Sequence, residues 1–154
     1  MSSAARRTRT RVSLPRTEVE YLILADAAEA LGGKLYLMGG GWDSVQIADF
    51  QRPVPVAIAC GVLVPWNETD EDHSLTIGVH TEDGEDVTPP VAVRFKTGRS
   101  PGMERGASTH VPFVLKAEVQ LPGSGGYSVS ATVDERPETR RAFQFWARAA
   151  SAAP

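Results

Sequence analysis

Apolar residues recur at every second position over several stretches of this chain. In HVPFVLKAEVQL, Val111, Phe113, Leu115, Ala117, Val119 and Leu121 fall on one side. Pro112, Lys116, Glu118 and Gln120 fall on the other, with Val114 as the apolar exception. In GYSVSATVDE, Tyr127, Val129, Ala131 and Val133 alternate with Ser128, Ser130, Thr132 and Asp134. Leu75, Ile77 and Val79 repeat the pattern, as do Val91, Val93 and Phe95, and then Phe143 and Phe145. Successive side chains of an extended chain point to opposite faces, so period two marks strands half-buried in antiparallel sheets. Residues 54–64 are instead continuously apolar and rich in β-branched side chains, which suits a strand covered on both faces.

Punctuation falls between these runs. Asp83 and Gly84 form a two-residue hairpin signal, and Pro89 with Pro90, GRSPGMERGAS and PGSGG break the chain elsewhere. The pattern predicts an all-β fold, a single antiparallel β-sandwich of about seven to nine strands. At most one short helical turn is expected, near residues 26–31, with Asp26 as its cap and Gly32 and Gly33 ending it. Tyr127 follows Gly125 and Gly126 at the start of a strand. It reads either as a tyrosine corner, whose phenol pins the crossover between sheets, or as a plain core aromatic.

Length and charge refine this picture. A chain of 154 residues is one domain by default and long enough to bury a core without metals or disulfides. No run of about 18 apolar residues is present, so no membrane-crossing helix is expected. The one cysteine, Cys60, cannot form an internal disulfide, and no secretory apolar region stands near the start, so a reducing cytoplasm is the expected location. The net charge of −3 hides an asymmetry: residues 1–16 hold five arginines (Arg6, Arg7, Arg9, Arg11, Arg16) and no acid. What remains has 11 basic and 19 acidic residues, a charge of −8. Residues 1–17 are expected to be a disordered basic tail, 18–148 the sandwich domain and 149–154 a second tail. The basic tail could touch nucleic acid or an acidic partner; otherwise nucleic acid is not expected.

Candidate chemistry is sparse. The triplet Gly39, Gly40 and Gly41 precedes Trp42, Asp43 and a strand-like SVQIA, with no lysine and no helix, so neither a P-loop nor a dinucleotide fingerprint fits. The triplet is expected to bend or bulge a strand, with a tight hairpin as the alternative. His73, His80 and His110 stand in no recognisable triad context, Cys60 lies within an apolar strand, and no spacing matches zinc. No catalytic residue, metal ligand set or cofactor is therefore expected, and the chain is read as non-enzymatic. Calcium is the better-formed rival, because PWNETDEDHS clusters Asn67, Glu68, Asp70, Glu71 and Asp72. The second acidic cluster, EDGED, should lie about 20 Å away across one strand, so the two cannot form one site.

The segment EYLILADAAEALGGKLYLMGGGWDSV carries Ala25 and Asp26, then Gly33, Lys34 and Leu35, then the glycines, Trp42, Asp43 and Val45. With the Asp83–Gly84 hairpin and Val133 and Asp134 after Gly126 and Tyr127, the pattern over about residues 19–147 resembles a family of small, uncharacterised bacterial proteins. That resemblance implies a β-sandwich and supplies no activity or catalytic residues. Three glycines stand where the family pattern usually has fewer, which fits an insertion into a long strand.

Function is therefore expected to be binding. Trp42 beside Asp43, and Trp66 beside Asn67 and Glu68, stand next to turns, where tryptophans serve as contact hot spots or, alternatively, as half-buried rim residues. Arg99 and Arg105 belong to a glycine-rich loop of the kind that gates a site or orders against a partner. The first expectation is an adaptor or assembly subunit acting through protein–protein contact, with homo-oligomers possible and no membrane partner. The alternative is a small-ligand module for glycan or calcium.

Overall fold

The computed structural model describes residues 13–151. Nine strands form two sheets packed face to face: β1 (Glu18–Leu31), β2 (Lys34–Gly40), β3 (Ser44–Ile47), β4 (Val54–Pro65), β5 (Asp72–Thr81), β6 (Val91–Lys96), β7 (Ser108–Val119), β8 (Gly125–Val133) and β9 (Arg141–Ala149). The first sheet runs β2-β1-β4-β7 and the second β3-β9-β8-β5-β6. The fold is all-β. No helix among the described residues is long and apolar enough to cross a membrane.

The alternating positions face each other across the sandwich. Leu22, Leu24, Ile58, Cys60, Val62 and Val64 of the first sheet meet Leu75, Ile77, Val79, Val129, Ala131 and Val133 of the second, all buried. Each of the Val, Leu and Ile side chains among them contributes roughly 1.5–3 kcal/mol by leaving water. β4 is the spine, pairing with β7 from Val54↔Val119 to Pro65↔Ser108 and with β1 on its other side. Its outer face is closed without a third layer. Tyr21 lies over Gly61, where any Cβ would collide with its ring, and Ala57 packs with Ala25, Ala28 and Val114.

Two expectations are corrected. Residues 26–31 are strand, not a helical turn: β1 continues to Leu31 and pairs with β2 through Ala28↔Leu37, Ala30↔Leu35 and Leu31↔Lys34. Gly32 and Gly33 have φ of +59° and +73°, and positive φ at both central residues makes a two-residue hairpin turn rather than a helix end. Alanine's helix preference amounts to only tenths of a kcal/mol per residue, too little against a ladder and the burial of Ala28. The sandwich is also not wholly antiparallel, since β3 runs parallel to β9, from Ser44↔Trp146 to Ile47↔Ala149. The chain leaves the first sheet after β2 and enters the second at its edge, so the direction of β3 is set by a crossover rather than a hairpin.

That crossover is where the glycine triplet lies. Gly39 and Gly41 adopt φ of +59° and +87°, and the Gly41 N–H donates to the Leu24 carbonyl at 2.8 Å. The ladder keeps one register across the kink, with Ala27↔Met38 before it and Ala25↔Gly40 after it. The strand therefore bends without an inserted residue. A Cβ on Gly39 would strike the Asp26 carboxyl. At the far side, the Tyr127 hydroxyl donates to the Gly123 carbonyl at 2.6 Å while its ring stacks on Phe145. This is the bonding pattern of a tyrosine corner.

Candidate functional site

The end of the sandwich where β5 begins gathers buried polar groups. His73 is 4% exposed and faces the core beside Phe95. Its Nδ1 lies 2.8 Å from Asp134 Oδ2, and its Nε2 lies 2.8 Å from the Glu68 carbonyl. Both partners only accept, so the arrangement is fully satisfied when both ring nitrogens carry protons, the imidazolium form. Burial alone pulls His73 down, but the bond to Asp134, the bond to the Glu68 carbonyl and the two acidic charges together hold it above its ordinary range.

Asp134 also accepts the Ser74 N–H at 2.8 Å, and Arg136 approaches it at 3.4 Å. Glu68 accepts from both the N–H and the hydroxyl of Thr17, at 3.0 and 2.7 Å. Burial raises its carboxyl, but Thr17's two bonds and the charges of Arg136 and His73 outweigh that and leave it below the usual range. Asn67 donates to the Pro15 carbonyl at 2.9 Å. The boundary expected at residue 17 is therefore moved: Thr17 is fully buried and Pro15–Thr17 are tied down. Residues 1–12, with Arg6, Arg7, Arg9 and Arg11, lie outside the described residues, as do 152–154.

Glu68, Glu71 and His73 bring potential ligand atoms within 4.8 Å of one another. An imidazolium has no lone pair to offer, so a cation would first have to displace one of His73's hydrogen bonds. The remaining acids of that cluster, Asp70 and Asp72, stand at the start of β5, and the EDGED acids lie beyond its other end.

Trp66 is faced by two arginines of the 97–107 loop. Arg99 stacks 3.7 Å from its ring centroid and donates to the Trp66 carbonyl and the Thr69 hydroxyl; Arg105 stands 5.3 Å from the same ring. These residues clamp the 97–107 loop onto the sandwich. Trp42 meets Phe145 edge-on at 6.3 Å, its indole N–H buried without a partner, while the Asp43 carbonyl accepts the Trp146 N–H. Cys60 is fully buried, and burial pushes its thiol up to about 12, out of reach of reaction.

The other end differs in kind. Among the described residues, β2 has β1 on one side and no strand on the other, and none of its seven residues is buried. Leu31, Tyr36, Leu37 and Met38 are 67%, 55%, 37% and 73% exposed. Below the β1–β2 hairpin opens a cleft of about 580 Å³, walled by Tyr36 and Met38 on one side and Pro55, Val56 and Ala57 on the other. Asp26, Glu29, Lys116 and Glu118 line it, with Lys116 paired to Glu29 at 3.3 Å. β1 leaves β4 after the Ala25↔Ala57 pair, and this splaying makes the cleft.

Reasoning from the sequence missed this edge. Leu35 to Met38 read as an ordinary apolar run, and only recognition of Gly32 and Gly33 as a hairpin turn would have placed them on an outer strand. It also missed a row on the second sheet's outer face, where His80 lies 2.9 Å from Asp86 and 2.8 Å from Ser130.

A family model described as a family of unknown function, DUF6941, matches residues 20–145. No curated protein matches the chain.

Proposed function

The chain belongs to DUF6941, and we propose that it is a binding module working through protein–protein contact, with the β2 edge and the cleft beneath it as the contact face. One observation carries the reading: the largest exposed apolar side chains of the hairpin stand on an unpaired edge strand beside an open cleft. An edge strand offers a free row of backbone N–H and C=O groups, and proteins that leave one exposed usually blunt it with charge, proline or cover. Within β2 the one charge is Lys34, at its start, and there is no proline.

The occupant fitting this face is an extended segment of a partner protein, added to β2 as a further strand. Its alternate apolar side chains would enter the cleft. With Lys116 engaged by Glu29, Asp26 and Glu118 favour a lysine or arginine on that segment. A cytoplasmic location belongs to the same proposal and is supported by the lone buried thiol.

The test is an affinity capture from the host lysate with three baits: wild type, the Leu37→Lys/Met38→Lys double variant and Trp66→Ala. The expected result is a stoichiometric protein partner on wild type and Trp66→Ala that is missing from the double variant. A partner kept by the double variant and lost by Trp66→Ala would move the contact to the opposite end. Self-association that disappears in the double variant would make the occupant a second copy.

A further inference from the structure

The outer face of the second sheet carries a row of three side chains that goes beyond the binding role. Ser130 projects from β8, His80 from β5, and Asp86 from the segment following the Asp83–Gly84 turn. Thr81 N–H donates to the Glu85 carbonyl at 2.8 Å, and Asp86 bridges back to His80, which fixes the carboxylate beside the ring. The strand register pairs His80 with Ser128 and Ser130 with Gly78. The imidazole thus reaches diagonally across Gly78 to Ser130. Only a glycine leaves that path open, since a Cβ there would lie 3.0 Å from both His80 Cε1 and Nε2.

The hydrogen bonds fix the tautomer. Asp86 Oδ1, 2.9 Å from His80 Nδ1, can only accept, so in the neutral ring Nδ1 bears the proton. Nε2 then presents its lone pair to the Ser130 hydroxyl at 2.8 Å. Serine O–H to imidazole to carboxylate is the order in which a general base activates a nucleophile. Ser130 is only 6% exposed, so its hydroxyl relies on a protein partner, and that partner is an imidazole itself held by a carboxylate. Ser130 forms part of the floor of an open depression of about 460 Å³, with Ser128, Thr132 and Arg140 around it. Those groups carry O–H and N–H donors in the lining of the same depression, the type of group that stabilises an oxyanion.

We propose that Ser130 is the nucleophile of an acyl-transfer site for small carboxylic esters. Ser130 Oγ bonds to the ester carbonyl carbon while its proton passes to His80 Nε2. The C–O bond to the alcohol breaks, the alcohol leaves with the Nε2 proton, and the acyl group stays on Ser130. Water then adds to the acyl carbon, giving its proton to Nε2, and Ser130 departs and recovers that proton. The products are one carboxylic acid and one alcohol per ester and water. His80 is the general base, and Asp86 is a positioning residue that holds its tautomer.

The test uses the full chain with a fluorophosphonate probe, read by intact mass and peptide mapping, alongside hydrolysis of p-nitrophenyl acetate. The expected result is one adduct, on Ser130, with ester hydrolysis above buffer, and both lost in Ser130→Ala. Asp86 is half exposed, so Asp86→Asn should leave the melting temperature unchanged while slowing adduct formation at least about tenfold. Absence of an adduct on Ser130 of the native protein would overturn the proposal. An adduct forming equally fast in Asp86→Asn and His80→Gln would also overturn it.

Discussion

The two ends of the sandwich invert the usual rule of burial. Where β5 begins, His73, Glu68, Asp134, Arg136 and Thr17 are polar groups buried or half-buried, and they are almost fully partnered. At the β1–β2 hairpin, Leu31, Tyr36, Leu37 and Met38 are apolar and left in water. Buried polar groups cost free energy unless they are hydrogen-bonded, so the first end is a clamp that holds the chain entry in place. Exposed apolar surface costs free energy until it is covered, so the second end is the one that gains from a partner. At the β5 end, polar residues, the usual pointers to function, mark structure instead.

Breaking the clamp should have the largest effect. His73→Ala removes a buried cation from between Asp134 and the Glu68 carbonyl and its packing on Phe95. It should cost about 2–3 kcal/mol, measured by urea unfolding. A loss under about 0.5 kcal/mol would show that the cluster is not a clamp. Gly39→Ala puts a Cβ against Asp26 at positive φ and should cost about 1–2 kcal/mol. The same assay measures it, with the β2 amides expected to exchange faster.

The clamp also has a sign in pH. His73 is raised above 6.5 in the fold, so its contribution is complete below 6.5 and is lost as pH rises through the folded value. Glu68 is lowered below 4.5, so its contribution is complete above 4.5 and is lost as pH falls through the folded value. Both are complete between 4.5 and 6.5, and unfolding titrations should show this end's stabilisation falling away on either side. His73→Ala should remove the alkaline limb and weaken the acid limb, because the His73 charge is one of the groups that hold Glu68 low. The smallest stability effect belongs to Leu37→Lys/Met38→Lys, within about 0.5 kcal/mol of wild type, because both sites already face solvent.

How much of this was legible follows the chemistry of each signal. Alternation over 111–121 and 127–133 fixed which side chains face the core, because period two follows from extended backbone geometry alone. The direction of β3 was not legible, since it depends on which strand waits at the far sheet's edge. The helical reading of 26–31 failed because composition outvoted two glycines whose positive φ decides the turn. Trp42 and Trp66 looked like contact residues from their turn positions, but side chains remote in sequence pack against them: Phe145 edge-on to Trp42, and Arg99 and Arg105 over Trp66. The Ser130–His80–Asp86 row was out of reach for the same reason: it rests on a cross-strand register spanning 50 residues.

The most direct measurement is amide hydrogen exchange of the captured complex against the free protein, resolved over residues 34–40. The expected result is fast exchange on the outward-facing amides of β2 in the free chain and strong slowing in the complex, with β5 and the 97–107 loop unchanged. Slowing confined to the Trp66 end, with β2 unaffected, would contradict the assignment of the contact face.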